Sequence, residues 1–267
     1  MDISDFYAII DDVSKELNLN FSSKAMSLLA MAEHMSVDQI KAVSTVFTAL
    51  KENKRSRVID TLLKMSRLPL KNPKTFEEYD FSLIRSKNPD VLVALKNLPS
   101  LAEVYSRTNL AFIGPTGVGK THLAQAYGRA CSEACLKTYF LKANELNEKF
   151  NNARKYGHED ACKNSLIKPT CLIIDEIGKN LFDQGNTKMF FDVIDRRYEK
   201  EGPQTTIVTS NIQPSEWKQY FTGDDNLLCA LDRLFDKAEI INIKGNSYRG
   251  RKCQTFSAEV GTQNFTN

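Results

Sequence analysis

Eight consecutive residues, Gly114-Pro115-Thr116-Gly117-Val118-Gly119-Lys120-Thr121, follow the pattern of a glycine, four residues, then glycine, lysine and a hydroxyl. They sit between an apolar run, Leu110 to Ile113, and a helix-permitting run from His122 to Cys131. In that setting the spacing is chemistry for phosphate. Glycines let successive backbone N–H groups turn inward at a helix N-terminus; Lys120 can neutralise the outer phosphates of a nucleoside triphosphate, and Thr121 can ligate Mg2+. The nucleotide-holding set is therefore expected to run from Gly114 through His122.

A second group follows Cys171-Leu172-Ile173-Ile174, an apolar strand that ends in Asp175-Glu176. Alone, two acids after such a strand suit a helix cap as well as a site. Beside a phosphate loop they divide the labour: Asp175 in the Mg2+ shell, Glu176 orienting or deprotonating an attacking water. A water-activating group leans towards hydrolysis rather than transfer to a second substrate. A third strand, Thr205 to Ser210, ends in Asn211, an amide placed to bond a γ-phosphate or the water; its bland alternative is a turn before Pro214. Two arginines, Arg233 in Leu231-Asp232-Arg233-Leu234 and Arg249 in Ser247-Tyr248-Arg249, could spread the charge that develops on a γ-phosphate; either could equally be a surface or ion-paired residue.

The elements that must position these residues alternate. Five short apolar runs, Leu110 to Ile113, Thr138 to Leu141, Cys171 to Ile174, Thr206 to Val208 and Glu239 to Ile243, are separated by stretches long enough for helices. That alternation implies an α/β fold with a parallel sheet covered on both faces. Ahead of it, Asp5 to about Lys74 carries helical spacing, as in Leu28, Leu29, Met31, Met35 and then Val43, Val46, Phe47, Leu50. The later part of that region is basic, with Lys51, Lys54, Arg55, Arg57, Lys64, Arg67, Lys71 and Lys74 against Glu52 and Asp60, while Val58, Ile59, Leu62, Leu63 and Met65 mark a packed side. Such a face is a solvated surface or a contact for a phosphate backbone. Pro69 and Pro73 deny further helix, so a boundary is expected there. The expected organisation is 1–74, a small all-helical N-terminal domain; 75–252, the nucleotide domain; and 253–267, a polar tail.

Composition agrees with a folded chain of one or two domains: 267 residues, 42% apolar and 26% charged. A net charge of +3 announces no partner by itself. The acidic start, Met1-Asp2-Ile3-Ser4-Asp5, has no basic, apolar leader pattern, and no uncharged apolar run approaches the roughly 20 residues that span a bilayer, so a cytoplasmic protein without membrane association is expected. Six cysteines show no CxxC pair and read as free thiols. Cys131-x3-Cys135 and His158-x3-Cys162 could on paper give two halves of a zinc site, but the first pair lies on the helix after the glycine loop, where that spacing usually marks one packing face.

Taken together, the phosphate loop with Pro115, the Leu172-to-Glu176 strand end, Thr209-Ser210-Asn211, Asp195-Arg196-Arg197-Tyr198-Glu199, Asp232-Arg233-Leu234 and the closing Ile241 to Arg249 resemble AAA+ ATPases. Within them the chain looks most like the IstB-like helper ATPases of insertion-sequence transposition, relatives of the DnaC-like helicase loaders. The resemblance covers residues 75 to 252, in order. It implies an AAA+ P-loop NTPase with a five-stranded parallel sheet and a truncated or absent lid, ATP and Mg2+ as ligands, and homo-oligomers formed on DNA in the ATP state. It also implies that Lys120, Thr121, Asp175 and Glu176 are the nucleotide and metal residues, Asn211 the first sensor, Arg233 a finger reaching a neighbour's nucleotide and Arg249 the second sensor in cis. Arg196 and Arg197 stand open between a contact with DNA or a neighbour and a solvated face. The adenine flank is expected within Phe76 to Ile84.

Three functions follow from these residues and the resemblance, the first two being what the resemblance implies. The first is a helper that binds duplex DNA, largely without regard to sequence, and presents it to a transposase. The second is a helicase loader acting on a helicase and single-stranded DNA. The third is a phosphotransferase acting on a small molecule, disfavoured by Glu176 and Arg233.

Overall fold

The computed structural model describes residues 2–81, 89–222 and 226–245, apart from the side chains of 226–229. Three helices come first: α1 (Ile3–Leu17), α2 (Ser23–Ala32) and α3 (Val37–Met65). Each begins where a short polar side chain accepts from an otherwise unpaired backbone N–H: Asp2, Ser22 and Ser36. Their shared core is small, centred on Phe6, Ile10, Met26, Ala30 and Ile40. Leu28, Leu29, Met31, Val46 and Leu50 have the spacing of core residues yet are exposed.

Helix α3 has 29 residues, roughly 40 Å at 1.5 Å per residue. Its first half lies on α1, and its last turns reach the nucleotide domain. Residues 52–58 between these contacts are exposed on every side. The packed side expected from Val58 to Met65 is therefore only partly formed: Leu63 is buried and Ile59 and Leu62 are half-buried, whereas Val58 and Met65 are exposed. The reason is geometric, because a helix spanning two packed bodies has no neighbour at its middle. Part of the basic face is also spent internally. Lys51 pairs with Glu16, Lys54 donates to the Glu16 carbonyl and Arg67 pairs with Glu145.

Past α3 the chain joins the main body at once. The Phe140 N–H donates to the Ser66 carbonyl at 2.8 Å, and Leu68 and Phe76 enter the main core. The remaining elements alternate: α4 (Pro89–Asn97), α5 (Ala102–Ser106), β1 (Asn109–Ile113), α6 (Lys120–Glu133), β2 (Thr138–Lys142), α7 (Ala143–Tyr156), α8 (Glu159–Ile167), β3 (Cys171–Ile177), α9 (Gln184–Glu199), β4 (Thr205–Ser210), α10 (Asn226–Asp236) and β5 (Ala238–Asn242). The described residues hold one sheet in the order β2-β3-β4-β1-β5, every pairing parallel.

Burial on both faces explains why the strands read as apolar runs rather than alternating ones. Leu110, Phe112, Ile173 and Ile207 pack towards Leu123 and Tyr127 of α6, while Ala111, Ile113, Ile174 and Val208 pack towards Phe190 and Val193 of α9. Strand β4, Thr-Thr-Ile-Val-Thr-Ser, is wholly buried despite four hydroxyls. Each is bonded: Thr205 Oγ1 donates to the Thr108 carbonyl, Thr206 Oγ1 accepts from Arg197, Thr209 Oγ1 donates to Asp175 and Ser210 Oγ donates to the Ile177 carbonyl. Among the described residues no helix is long and apolar enough to cross a membrane.

Candidate nucleotide site

Three of the segments singled out in the sequence, the glycine loop, Asp175-Glu176 and Asn211, converge at the carboxyl ends of β1, β3 and β4, where parallel α/β sheets hold their ligands. The loop from Gly114 to Gly119 leaves β1 and feeds α6. Gly114 has φ +151°, and a Cβ there would lie 2.0 Å from the Ile243 carbonyl oxygen, so the loop is pressed against the end of β5. Gly119 has φ +97°, and a Cβ would meet the Tyr79 ring at 2.8 Å. These two positions exclude side chains by both conformation and contact.

A cleft of about 390 Å³ opens beside the loop, lined by Lys74, Gly117, Gly119, Thr121, His122 and Gln125. The segment before it closes one side. His122 Nε2 lies 2.8 Å from the Thr75 carbonyl, and its ring meets Tyr79 edge to face at 5.3 Å. Tyr79 falls within the stretch expected to flank the base; residues 82–84 of that stretch lie outside the described residues.

Lys120 is 7% exposed, and its Nζ donates to the Gly114 carbonyl at 2.7 Å, the Pro115 carbonyl at 2.8 Å and Asn211 Oδ1 at 2.8 Å. Asn211 Nδ2 in turn donates to Thr116 Oγ1 at 3.2 Å. The amide at the end of β4 thus touches both the loop and its lysine, rather than serving only as a turn residue.

Asp175, 1% exposed, accepts from Thr121 Oγ1 at 2.8 Å and Thr209 Oγ1 at 2.5 Å, both on Oδ1. Burial pushes its carboxyl above the usual range, and the two hydroxyls pull it part of the way back. A carboxylate beside a hydroxyl at the foot of a phosphate loop is a hard-oxygen donor set, which suits Mg2+. The next residue, Glu176, has φ +64°, a left-handed conformation that costs a side-chain-bearing residue on the order of 1–2 kcal/mol. Its carboxylate Oε1 lies 2.6 Å from Lys179 Nζ.

Arg233 is elsewhere. It pairs with Asp195 of α9 and lines a cavity of about 180 Å³ with Arg107, Arg197, Tyr198, Thr206 and Lys237. That cavity borders the amino end of β1, where the Lys237 and Leu234 carbonyls accept from the Asn109 backbone and side chain. The length of β1, roughly 13 Å over four steps of 3.3 Å, separates this end of the sheet from the loop after Ile113. Arg249 and the tail 253–267 lie outside the described residues.

The alternatives left open for Arg196 and Arg197 are resolved differently for each. Arg196 donates to Asn164 Oδ1. Arg197 is neither solvated nor at a contact surface: it is 2% exposed and donates to Thr206 Oγ1 and to the carbonyls of Leu166, Ile167, Pro169, Thr170 and Thr205. Burial lowers it to about 10. As for the cysteines, Cys131 is buried on α6, Cys135 is exposed beyond its end, and no group of three or more metal-ligating side chains occurs among the described residues.

Two neighbours of the site have no individual role in the sequence reading. Lys179 looks like a turn residue, and Thr209 is one of several threonines in a strand. The spacing of Lys179 from Glu176 is the signal that could have found the first.

A glycine-loop strand inside a parallel sheet, with β4 next to it and the acid-bearing strand β3 beyond β4, defines a P-loop nucleotide fold of AAA+ type. The chain belongs to the IstB-like ATP binding protein family, whose model matches residues 13–255. It is similar to the IS5376 ATP-binding protein of Geobacillus stearothermophilus, 37% identical over 84% of this chain and 87% of that one. It is also similar to the IS21 ATP-binding protein of Pseudomonas aeruginosa, 34% identical over 80% and 77%. Among solved structures, AMPPCP-bound DnaA from Aquifex aeolicus matches with TM-score 0.51 and 22% identity over 64% of this chain and half of that one, a likeness of fold.

Proposed function

We propose that this chain is the ATP-hydrolysing helper of an insertion-sequence transposition system, which assembles on duplex DNA in the ATP state and delivers that DNA to a transposase. The observation that carries the hydrolytic part is Thr121 bonded to Asp175 at the mouth of the glycine loop, with Lys120 and Asn211 bonded to each other across it and Glu176 next in the chain after Asp175. Its relatives are named as ATP-binding proteins of insertion sequences, which supports both the nucleotide and the transposition setting.

In this reading the loop N–H groups and Lys120 hold the β- and γ-phosphates. Thr121 and Asp175 hold Mg2+, which when bound offsets charge on the phosphate oxygens. Glu176 takes a proton from water as its oxygen attacks the γ-phosphorus; the bond from that phosphorus to the β-γ bridging oxygen breaks, giving ADP and phosphate. Asn211 senses the γ-phosphate, and Arg233, at the far end of its own sheet, serves the nucleotide of a neighbouring protomer. Arg249 is assigned the in-cis sensor role from its place in the motif. DNA contact is assigned to the basic residues of α3 that remain exposed, among them Arg55, Arg57 and Lys64. Residues 1–74 then form the contact domain and 75–252 the motor.

The test is size-exclusion chromatography with light scattering on Glu176→Gln, with ATP or ADP and a duplex or single strand of equal length. A large assembly with ATP and duplex alone is expected. Assembly only on a single strand, or only after a replicative helicase is added, would replace this reading with that of a helicase loader.

A further inference from the structure

The pairing of β3 with β4 is regular up to Ile174 opposite Val208 and resumes at Ile177 opposite Ser210. Between them two residues, Asp175 and Glu176, face a single residue, Thr209. This is a β-bulge, a device that re-aims side chains next to active sites. Thr209 is 1% exposed, and its one hydroxyl serves both bulged residues: it donates to Asp175 Oδ1 at 2.5 Å and accepts from the Glu176 backbone N–H at 2.9 Å. Valine has the same shape without the hydroxyl, and would take the acceptor from the part-buried Glu176 N–H while removing one of the donors on Asp175.

We propose that Thr209 is the positioning residue of the hydrolytic centre, fixing the orientation of the Asp175 carboxylate and the left-handed backbone of Glu176 through one hydroxyl. The inference rests on the proposed ATPase reading for its kinetic consequence, though not for its structural one. The coupling explains why the two acids are adjacent yet aimed differently. Asp175 is turned into the sheet end beside Thr121, and Glu176 is turned out into the turn, where Lys179 meets it. It also gives the buried Thr209 hydroxyl of β4 two partners on the bulged strand.

The experiment compares Thr209→Val with Thr209→Ser in the full chain. Three quantities are read: steady-state ATP turnover, the midpoint of Mn2+ binding by electron paramagnetic resonance in the presence of ADP, and hydrogen exchange of the Glu176 amide. In Thr209→Val, kcat is expected to fall about 10–100-fold and the Mn2+ midpoint to rise by about tenfold or more, the range for lost outer-shell partners. KM for ATP should stay within about threefold, since the phosphate loop is untouched. The Glu176 amide should exchange faster. Thr209→Ser, which keeps the hydroxyl, should stay close to wild type in all three. A Thr209→Val chain that fails to fold is replaced by Thr209→Ala, with the same expectations. An unchanged Mn2+ midpoint with a protected amide in Thr209→Val, or a Thr209→Ser as impaired as Thr209→Val, would overturn the proposal. A wild-type chain without turnover would defeat the ATPase reading instead, leaving the metal and exchange measurements to decide the role of Thr209.

Discussion

The two ends of the central sheet are built on opposite principles. At the carboxyl end, Lys120, Thr121, Asp175, Thr209 and Asn211 bond mainly to one another and to the loop, so each group's position is fixed by another group of the same cluster. At the amino end, Arg107, Arg197, Arg233 and Lys237 gather around one cavity. Among the described residues, Arg233 is the one of these that makes an ion pair with an acid, Asp195. One end gathers the candidate nucleotide residues; the other gathers cations. The lesson is that the length of β1, about 13 Å, lies between Arg233 and this chain's own glycine loop. In the proposed mechanism Arg233 therefore serves the nucleotide of another copy.

Variants should separate the ends. The largest effect is expected from Arg233→Ala, which should bind nucleotide normally yet lose turnover by on the order of 10³ or more. Normal turnover in that variant would remove the arginine from the mechanism. Glu176→Gln should retain ATP and assembly while turnover falls by about 10²–10⁴, whereas Lys120→Ala should lose both, as read by fluorescent-nucleotide titration beside phosphate release. The contrast between a variant that binds and one that does not belongs to the carboxyl end alone.

Arg197 tests whether the amino end is partly structural. Arg197→Met removes a donor from five carbonyls and should destabilise the fold by about 3 kcal/mol, a fall in Tm of roughly 6–12 °C. Its neighbour Lys200 gives the smallest effect. Burial, and secondarily Arg197, lowers Lys200 to about 8. A lysine lowered on folding binds fewer protons in the native state between about pH 8 and its unfolded value near 10.4, so stability should rise with pH across that window and fall as pH drops through 8. Thermal melts of Lys200→Met should show that slope flattened.

The carboxyl end was legible in the sequence because its function depends on short, contiguous patterns. The glycine loop and the acids after an apolar strand each occupy a few residues, and strand order brings them together. Thr209 was not legible, because its role arises from a bulge that gives two residues on β3 one partner on β4, a property of register rather than of composition. The buried Arg197 was read as a surface candidate because its partners are backbone carbonyls, which leave no trace in residue types. The helices before Leu68 show the opposite failure. Their periodicity identified them as helices, but apolar spacing implied a packed side that the middle of α3, reaching between two bodies, does not have.

The most direct measurement of the division between the two ends is a mixing experiment with Arg233→Ala and Glu176→Gln, each inactive alone, combined in equal amounts with ATP and duplex DNA. In a head-to-tail assembly a nucleotide on an Arg233→Ala protomer, with its own Glu176 intact, can meet the Arg233 of a Glu176→Gln neighbour. Random mixing then predicts recovery of about a quarter of wild-type turnover. A mixture that co-assembles by light scattering and stays as inactive as its components would contradict the account.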